Sequence, residues 1–141
     1  MAASTIQPFV IRTPDSELDA LQQRLAATRW PDAETPSDWT QGLPLAYAQE
    51  LCAYWQNEYQ WREREAYFNG FPQFLTELDG LDIHFIHRQS AEAQARPLLM
   101  THGWPGSVVE FHKVIGPLVD PVAYGGRAED AFHVVCPSLP G

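Results

Sequence analysis

The chain has 141 residues, 45% hydrophobic and 12% aromatic, which is enough apolar material for the core of one ordinary domain. Its formal charge of -9, from 18 acidic against 9 basic residues, repels phosphate backbones and anionic lipid and so argues against a nucleic-acid or membrane-surface partner. No window approaches the roughly 20 apolar residues of a membrane span, and Met1 to Thr5 has neither the basic start nor the apolar run of a signal peptide. Cys52 and Cys136 stand far apart in apolar surroundings and offer neither a disulfide framework nor a metal spacing. A soluble, cytoplasmic protein with buried, reduced thiols is expected.

Ile6 to Ile11 alternates loosely around Pro8; a proline brings no NH to a sheet, so this segment reads as an edge strand or an extended arm. Thr13-Pro14-Asp15 combines an N-cap, a proline at the first helical position and an acid in the first turn. Leu18, Leu21 and Leu25 follow at helical spacing, which predicts a helix from Pro14 to about Thr28. Trp30-Pro31 ends it, and Pro31 to Thr40 reads as a surface loop pinned by Trp39. Leu43-Pro44 opens a second helix with Tyr47, Leu51, Tyr54 and Trp55 in one apolar stripe, and Trp61 to Asn69, bounded by Gly70, reads as a short third helix.

The pattern then changes. Phe74 to Leu78, Asp79-Gly80 and Leu81 to His87 form a hairpin signature, because an Asp-Gly pair accepts the positive φ values of a two-residue turn. Leu81, Ile83 and Phe85 share one face of it. After a polar loop at Ser90 to Arg96, Pro97 to Thr101 is a short apolar run without alternation, as expected for a strand covered on both sides. Ser107 and Glu110 make a capping box, predicting a helix from about Val108 to Leu118. Gly125-Gly126 lies in the return loop, and Phe132 to Cys136 is a second strand of parallel type. The fold class is therefore α/β: a helical amino-terminal arm over residues 1–73, then a hairpin, strand, helix and strand over 74–141 as the first strands of an incomplete sheet. Nothing after Cys136 supplies further neighbours, so an apolar sheet edge is expected to stay exposed.

His102-Gly103-Trp104-Pro105-Gly106 sits between an apolar strand and a capped helix. In open α/β sheets ligands bind beyond the carboxyl ends of the strands, and a glycine there lets backbone NH groups approach an oxygen closely. Pro105 has no NH, so the expected oxyanion donor is the backbone NH of Trp104. One such donor is worth about 3 kcal/mol of barrier.

Ile6-x-Pro8-Phe9, Leu25-x-x-Thr28-Arg29-Trp30-Pro31, Tyr54-Trp55, Trp61-Arg62-x-x-Glu65-Ala66, Pro72-Gln73-Phe74, Asp79-Gly80-Leu81-Asp82-Ile83-His84-Phe85, His102-Gly103-Trp104-Pro105-Gly106-Ser107 and Pro137-Ser138-Leu139-Pro140-Gly141 together resemble epoxide hydrolases of the microsomal type. The resemblance implies an amino-terminal meander up to about Gly80, followed by the first strands of an α/β-hydrolase core. It also implies that a carboxylate attacks an epoxide carbon, two tyrosines donate to the opening oxygen, and a histidine with an acidic partner hydrolyses the ester intermediate. The matching nucleophile would sit on a Gly-x-Asp-x-Gly-like elbow, and no such pentapeptide occurs in the chain, so only the Trp104 contribution carries over and the chain by itself is expected to be inactive. A soluble member is implied by the start Met1-Ala2-Ala3-Ser4. The expected substrate is a small apolar epoxide, with no cofactor and no metal.

Plainer readings stand beside these. His102 at a strand end more often bonds backbone than acts as a base. His84 and His87, three apart on a strand, point to opposite faces and read as surface or hairpin residues rather than a metal pair. Tyr54, Trp55, Tyr59 and Trp61 suggest a ligand cage, but packing is the default for aromatics at helical spacing. Asp79 is explained by the turn and Asp82 by a solvent face. The Trp104 side chain is read either as pocket lining or as a structural anchor. Two rival functions remain: a non-catalytic module that docks on a carboxyl-terminal hydrolase half or on itself through the sheet edge, and a different α/β hydrolase such as an esterase or haloalkane dehalogenase.

Overall fold

A computed structural model of the chain describes residues 5–140; Met1 to Ser4, the expected soluble start, and Gly141 lie outside them. The chain groups into two compact units, one of Arg12–Arg64 and one of the described residues within Met1–Ile11 and Glu65–Gly141.

In the first unit, α1 (Asp15–Ala26) and α2 (Leu45–Asn57) are joined by a long loop, and α3 (Trp61–Phe68) begins at its end. α1 starts one residue later than the sequence predicts. Pro14 has an extended ψ of 145° and is itself the cap residue, its carbonyl accepting from the NH groups of Glu17 at 3.0 Å and Leu18 at 3.4 Å, so Thr13 lies one place too early to be the N-cap. Asp15 and Glu17 in the first turn and Arg24 in the last complement the helix dipole, and Arg62 pairs with Asp15. α2 likewise has a proline, Pro44, as its cap residue, its carbonyl accepting from the Ala48 NH at 3.1 Å but with no side-chain acceptor to offer. The Leu45 NH is taken by the Glu34 carboxylate at 2.9 Å, a bond that lowers the Glu34 pKa, since it favours the charged form. Trp39 packs edge-on to Tyr47 at 5.1 Å.

The aromatic stripe corrects the packing expectation: Tyr47, Leu51, Tyr54 and Trp55 are all exposed. Leu51, Tyr54, Trp55, Tyr59 and Trp61 line, with Leu21, an open apolar hollow of about 350 Å³. Two helices bring too few neighbours to close a core over side chains of this size.

The second unit is a mixed five-stranded sheet, ordered β1 (Gln7–Phe9), β2 (Gln73–Leu78), β3 (Leu81–Arg88), β5 (Phe132–Pro137), β4 (Arg96–Leu99). β1, β2, β3 and β5 pair antiparallel in turn, while β4 runs parallel to β5. Pro8 sits on the edge strand, where its missing donor costs nothing. The β2–β3 turn holds Asp79 at φ 52° and Gly80 at φ 80°, the two positive values a two-residue hairpin needs, with Leu78 opposite Leu81. Phe74 and Phe85, cross-strand partners, stack at 5.5 Å. Ile86, Ile115, Val119, Val134 and Cys136 form the core, with Phe71, Met100, Val108, Phe111, Leu118 and Phe132 packed against it.

Two expectations change in the crossover from β4 to β5. The single helix predicted over Val108 to Leu118 is a 3-10 turn at Val108–Phe111 and a separate short α4 (Ile115–Val119). Pro117 is the reason: a continuous helix would set its ring against the carbonyl of Lys113 and waste its missing NH, so the chain restarts where proline falls in a first turn. The strand predicted at Pro97 to Thr101 is Arg96–Leu99 and is not covered on both sides, for Leu99 is 66% exposed. The open edges among the described strands are β1 and β4.

Candidate functional site

β4 and β5 are adjacent and parallel, so the loops that leave their carboxyl ends lie at one end of the sheet. After Leu99 the NH of Met100 still bonds the Val135 carbonyl at 2.9 Å; the chain then leaves the sheet through Thr101 into the His102 to Gly106 turn. From β5 it leaves through Ser138 and Leu139.

The turn is closed by the Gly106 NH donating to the Gly103 carbonyl at 2.8 Å, with a cis Trp104-Pro105 bond between them. Glycine is required at 106, where a Cβ would lie 1.5 Å from Glu110 Oε1 and 2.9 Å from the Gly103 oxygen. Gly103 faces open space, with no atom within 4 Å of where its Cβ would be. Ser107 Oγ then accepts from the Val109 NH at 3.3 Å, capping the 3-10 turn.

His102 has both ring nitrogens on backbone. The Leu139 NH donates to Nε2 at 3.1 Å, and Nδ1 lies 3.0 Å from the Gly103 oxygen, which assigns the neutral ring with its proton on Nδ1. Gly103 O therefore accepts from two donors, the His102 ring and the Gly106 NH. Among the described residues the Trp104 NH donates to no protein atom. Trp104 is 93% exposed and packs against nothing among the described residues.

Elsewhere in the unit the structure corrects one placement. His84 lies on the hairpin strand as one of its two readings has it, but not at the surface: it is half-buried and bonded through both nitrogens, to Ser138 Oγ at 2.7 Å and to Gln73 Oε1 at 2.9 Å, while Phe9 packs against it at 5.1 Å. Burial lowers its pKa. His87 faces away, beside Phe74. Gln73 is buried, and its amide donates to Phe68 O at 3.0 Å and Asn69 Oδ1 at 3.3 Å; Asn69 in turn exchanges two 2.9 Å bonds with the Ile11 backbone. Sequence reasoning missed this network, its one signal being a glutamine at the head of a strand that opens with Phe74 and Leu75. Asp79 and Asp82 are both exposed, Asp82 opposite Glu77. Cys136 is buried, and burial pushes its thiol up to about 11; Cys52 is only half-buried on α2, against the expectation, and both are free thiols.

A sheet that begins with antiparallel strands, ends in a parallel pair and carries a His-Gly-Trp-Pro-Gly turn after the outer strand of that pair is the opening portion of an α/β-hydrolase fold. Comparison with known proteins gives the family. Residues 6–111 match the model described as epoxide hydrolase N terminus, and the chain belongs to that family. It is 58% identical, over 96% of its length, to the protein of Stigmatella aurantiaca named "Putative epoxide hydrolase", and 39% identical over 97% to epoxide hydrolase 1 of Oryctolagus cuniculus, spanning 31% of each of these relatives. The solved structure of Aspergillus niger epoxide hydrolase superposes with a TM-score of 0.82 at 34% identity, covering 96% of this chain and 35% of that one. The chain thus spans about a third of the relatives it matches.

Proposed function

We propose that this chain is the amino-terminal part of an epoxide hydrolase that opens a small apolar epoxide to a diol through a covalent ester intermediate, with the backbone NH of Trp104 as an oxyanion donor. The observation behind it is the unpartnered Trp104 amide on a peptide held at the carboxyl end of a parallel strand. Residues 1–73 form the epoxide-hydrolase-like helical region and 74–141 the first part of the hydrolase core. The attacking carboxylate, the acidic partner and the base come from residues beyond this chain, so the 141-residue chain alone forms no diol. Neither cofactor nor metal takes part in this chemistry. The protein works in the cytoplasm, a location supported by its two free thiols and tested by cell fractionation. To test the activity, the protein encoded by the whole natural reading frame is given an aryl or aliphatic epoxide and assayed for diol; a folded protein that forms none overturns the proposal.

A second reading has one observation in its favour. The outer edge of β4 is unpaired among the described strands, so the chain docks there on a carboxyl-terminal hydrolase half or on a second copy. A monomer by light scattering, unchanged when that half is added, rejects this reading.

A further inference from the structure

His84 and His102 are joined by hydrogen bonds on either side of the Ser138–Leu139 peptide, and the directions of those bonds follow from one end. Gln73 spends its amide hydrogens on two oxygens, Phe68 O and Asn69 Oδ1, so its Oε1 is the atom left for His84. An amide oxygen only accepts. His84 Nε2 must therefore carry the proton, Nδ1 of the neutral ring must accept, and the Ser138 hydroxyl must donate to it at 2.7 Å. The Ser138 NH also donates to the His84 carbonyl at 2.8 Å, so Ser138 is held by its side chain and its backbone at once. That pins the next peptide, whose Leu139 NH reaches His102 Nε2 at 3.1 Å.

From His102 the constraint passes to the turn. With Nε2 accepting, the ring proton is on Nδ1 and points at the Gly103 oxygen, which already takes the Gly106 NH. The Gly103–Trp104 peptide is trans and planar, so its C=O and N–H point in opposite directions. Two donors on the oxygen leave the Trp104 NH turned outward and unable to fold back.

We propose that His84, Gln73, Ser138 and His102 are positioning residues that set the direction of the Trp104 amide, a relay running from the end of α3 through β2 and β3 to the loop after β5 and back to the turn after β4. Its catalytic consequence rests on the oxyanion reading above; its geometry does not.

The test is nitrogen NMR of the imidazoles and amide hydrogen exchange in the 141-residue chain, for the natural sequence, Ser138→Ala and Ser138→Thr. The natural chain should show His84 protonated on Nε2 and His102 on Nδ1. Ser138→Ala should speed exchange of the Leu139 amide about fivefold or more and cost His102 its fixed tautomer, while Val134 stays protected. Ser138→Thr, which keeps the hydroxyl, should restore both. If Ser138→Ala leaves the Leu139 exchange and the His102 tautomer as they were, the relay is wrong; if that variant loses its fold, the natural tautomers decide, since His84 protonated on Nδ1 or His102 on Nε2 overturns the proposal. In the diol-forming protein, Ser138→Ala should lower kcat by up to about 10²-fold at unchanged KM. Unchanged kcat with a released His102 refutes the positioning role, whereas absence of turnover in the natural protein refutes the oxyanion reading and leaves the relay to the NMR.

Discussion

A carbonyl that accepts from two donors fixes its own peptide plane, and on that plane depends where the Trp104 NH points. Gly106 makes this possible by coming close to Gly103 O. The flexible Glu110 carboxylate can move aside for a methyl group at 106, but the backbone oxygen 2.9 Å away cannot, so Gly106→Ala should cost about 1–3 kcal/mol of stability in urea unfolding; a loss within error would contradict this packing. His84 makes a prediction about pH. Its folded pKa is lowered by burial, while the unfolded chain titrates at the ordinary value near 6.5, so the unfolded state takes the proton first. Stability present above that value should fall as pH drops below it and through the lower folded pKa. Urea midpoints between about pH 7.5 and 5 measure this decline, and His84→Gln should flatten it.

At the scale of elements, what was legible in the sequence was whatever local chemistry decides. Asp79-Gly80 marks the hairpin because positive φ is a property of two residues, and the apolar run of β5 marks a buried strand. The continuous helix after Ser107 was misread because the capping signal at its start outweighed Pro117, whose effect on Lys113 is equally local. β4 departs from its pattern for a different reason. An apolar run states that a strand is fit to be covered, and only the strand order shows that β4 lies at the edge. The His84 network was invisible, for its bonds join residues 11 and 54 apart in sequence. Within the sheet the energetic contrast is sharp: Val134, at 0% exposure, should lose about 2 kcal/mol on truncation to alanine, whereas Leu99→Ala at the edge should stay within about 0.5 kcal/mol. Equal losses at the two sites would mean that β4 is covered after all.

For the molecule as a whole, the family follows from the match over residues 6–111, and the relatives extend well beyond the third of their length that this chain covers. The most direct measurement is diol formation from an aryl epoxide by the protein of the whole natural reading frame, compared with its Trp104→Pro variant, which removes the one amide hydrogen at issue. The natural protein should turn over, and the variant should lose about 10²- to 10³-fold in kcat. A folded Trp104→Pro protein that keeps the natural rate would show that this amide holds no developing charge.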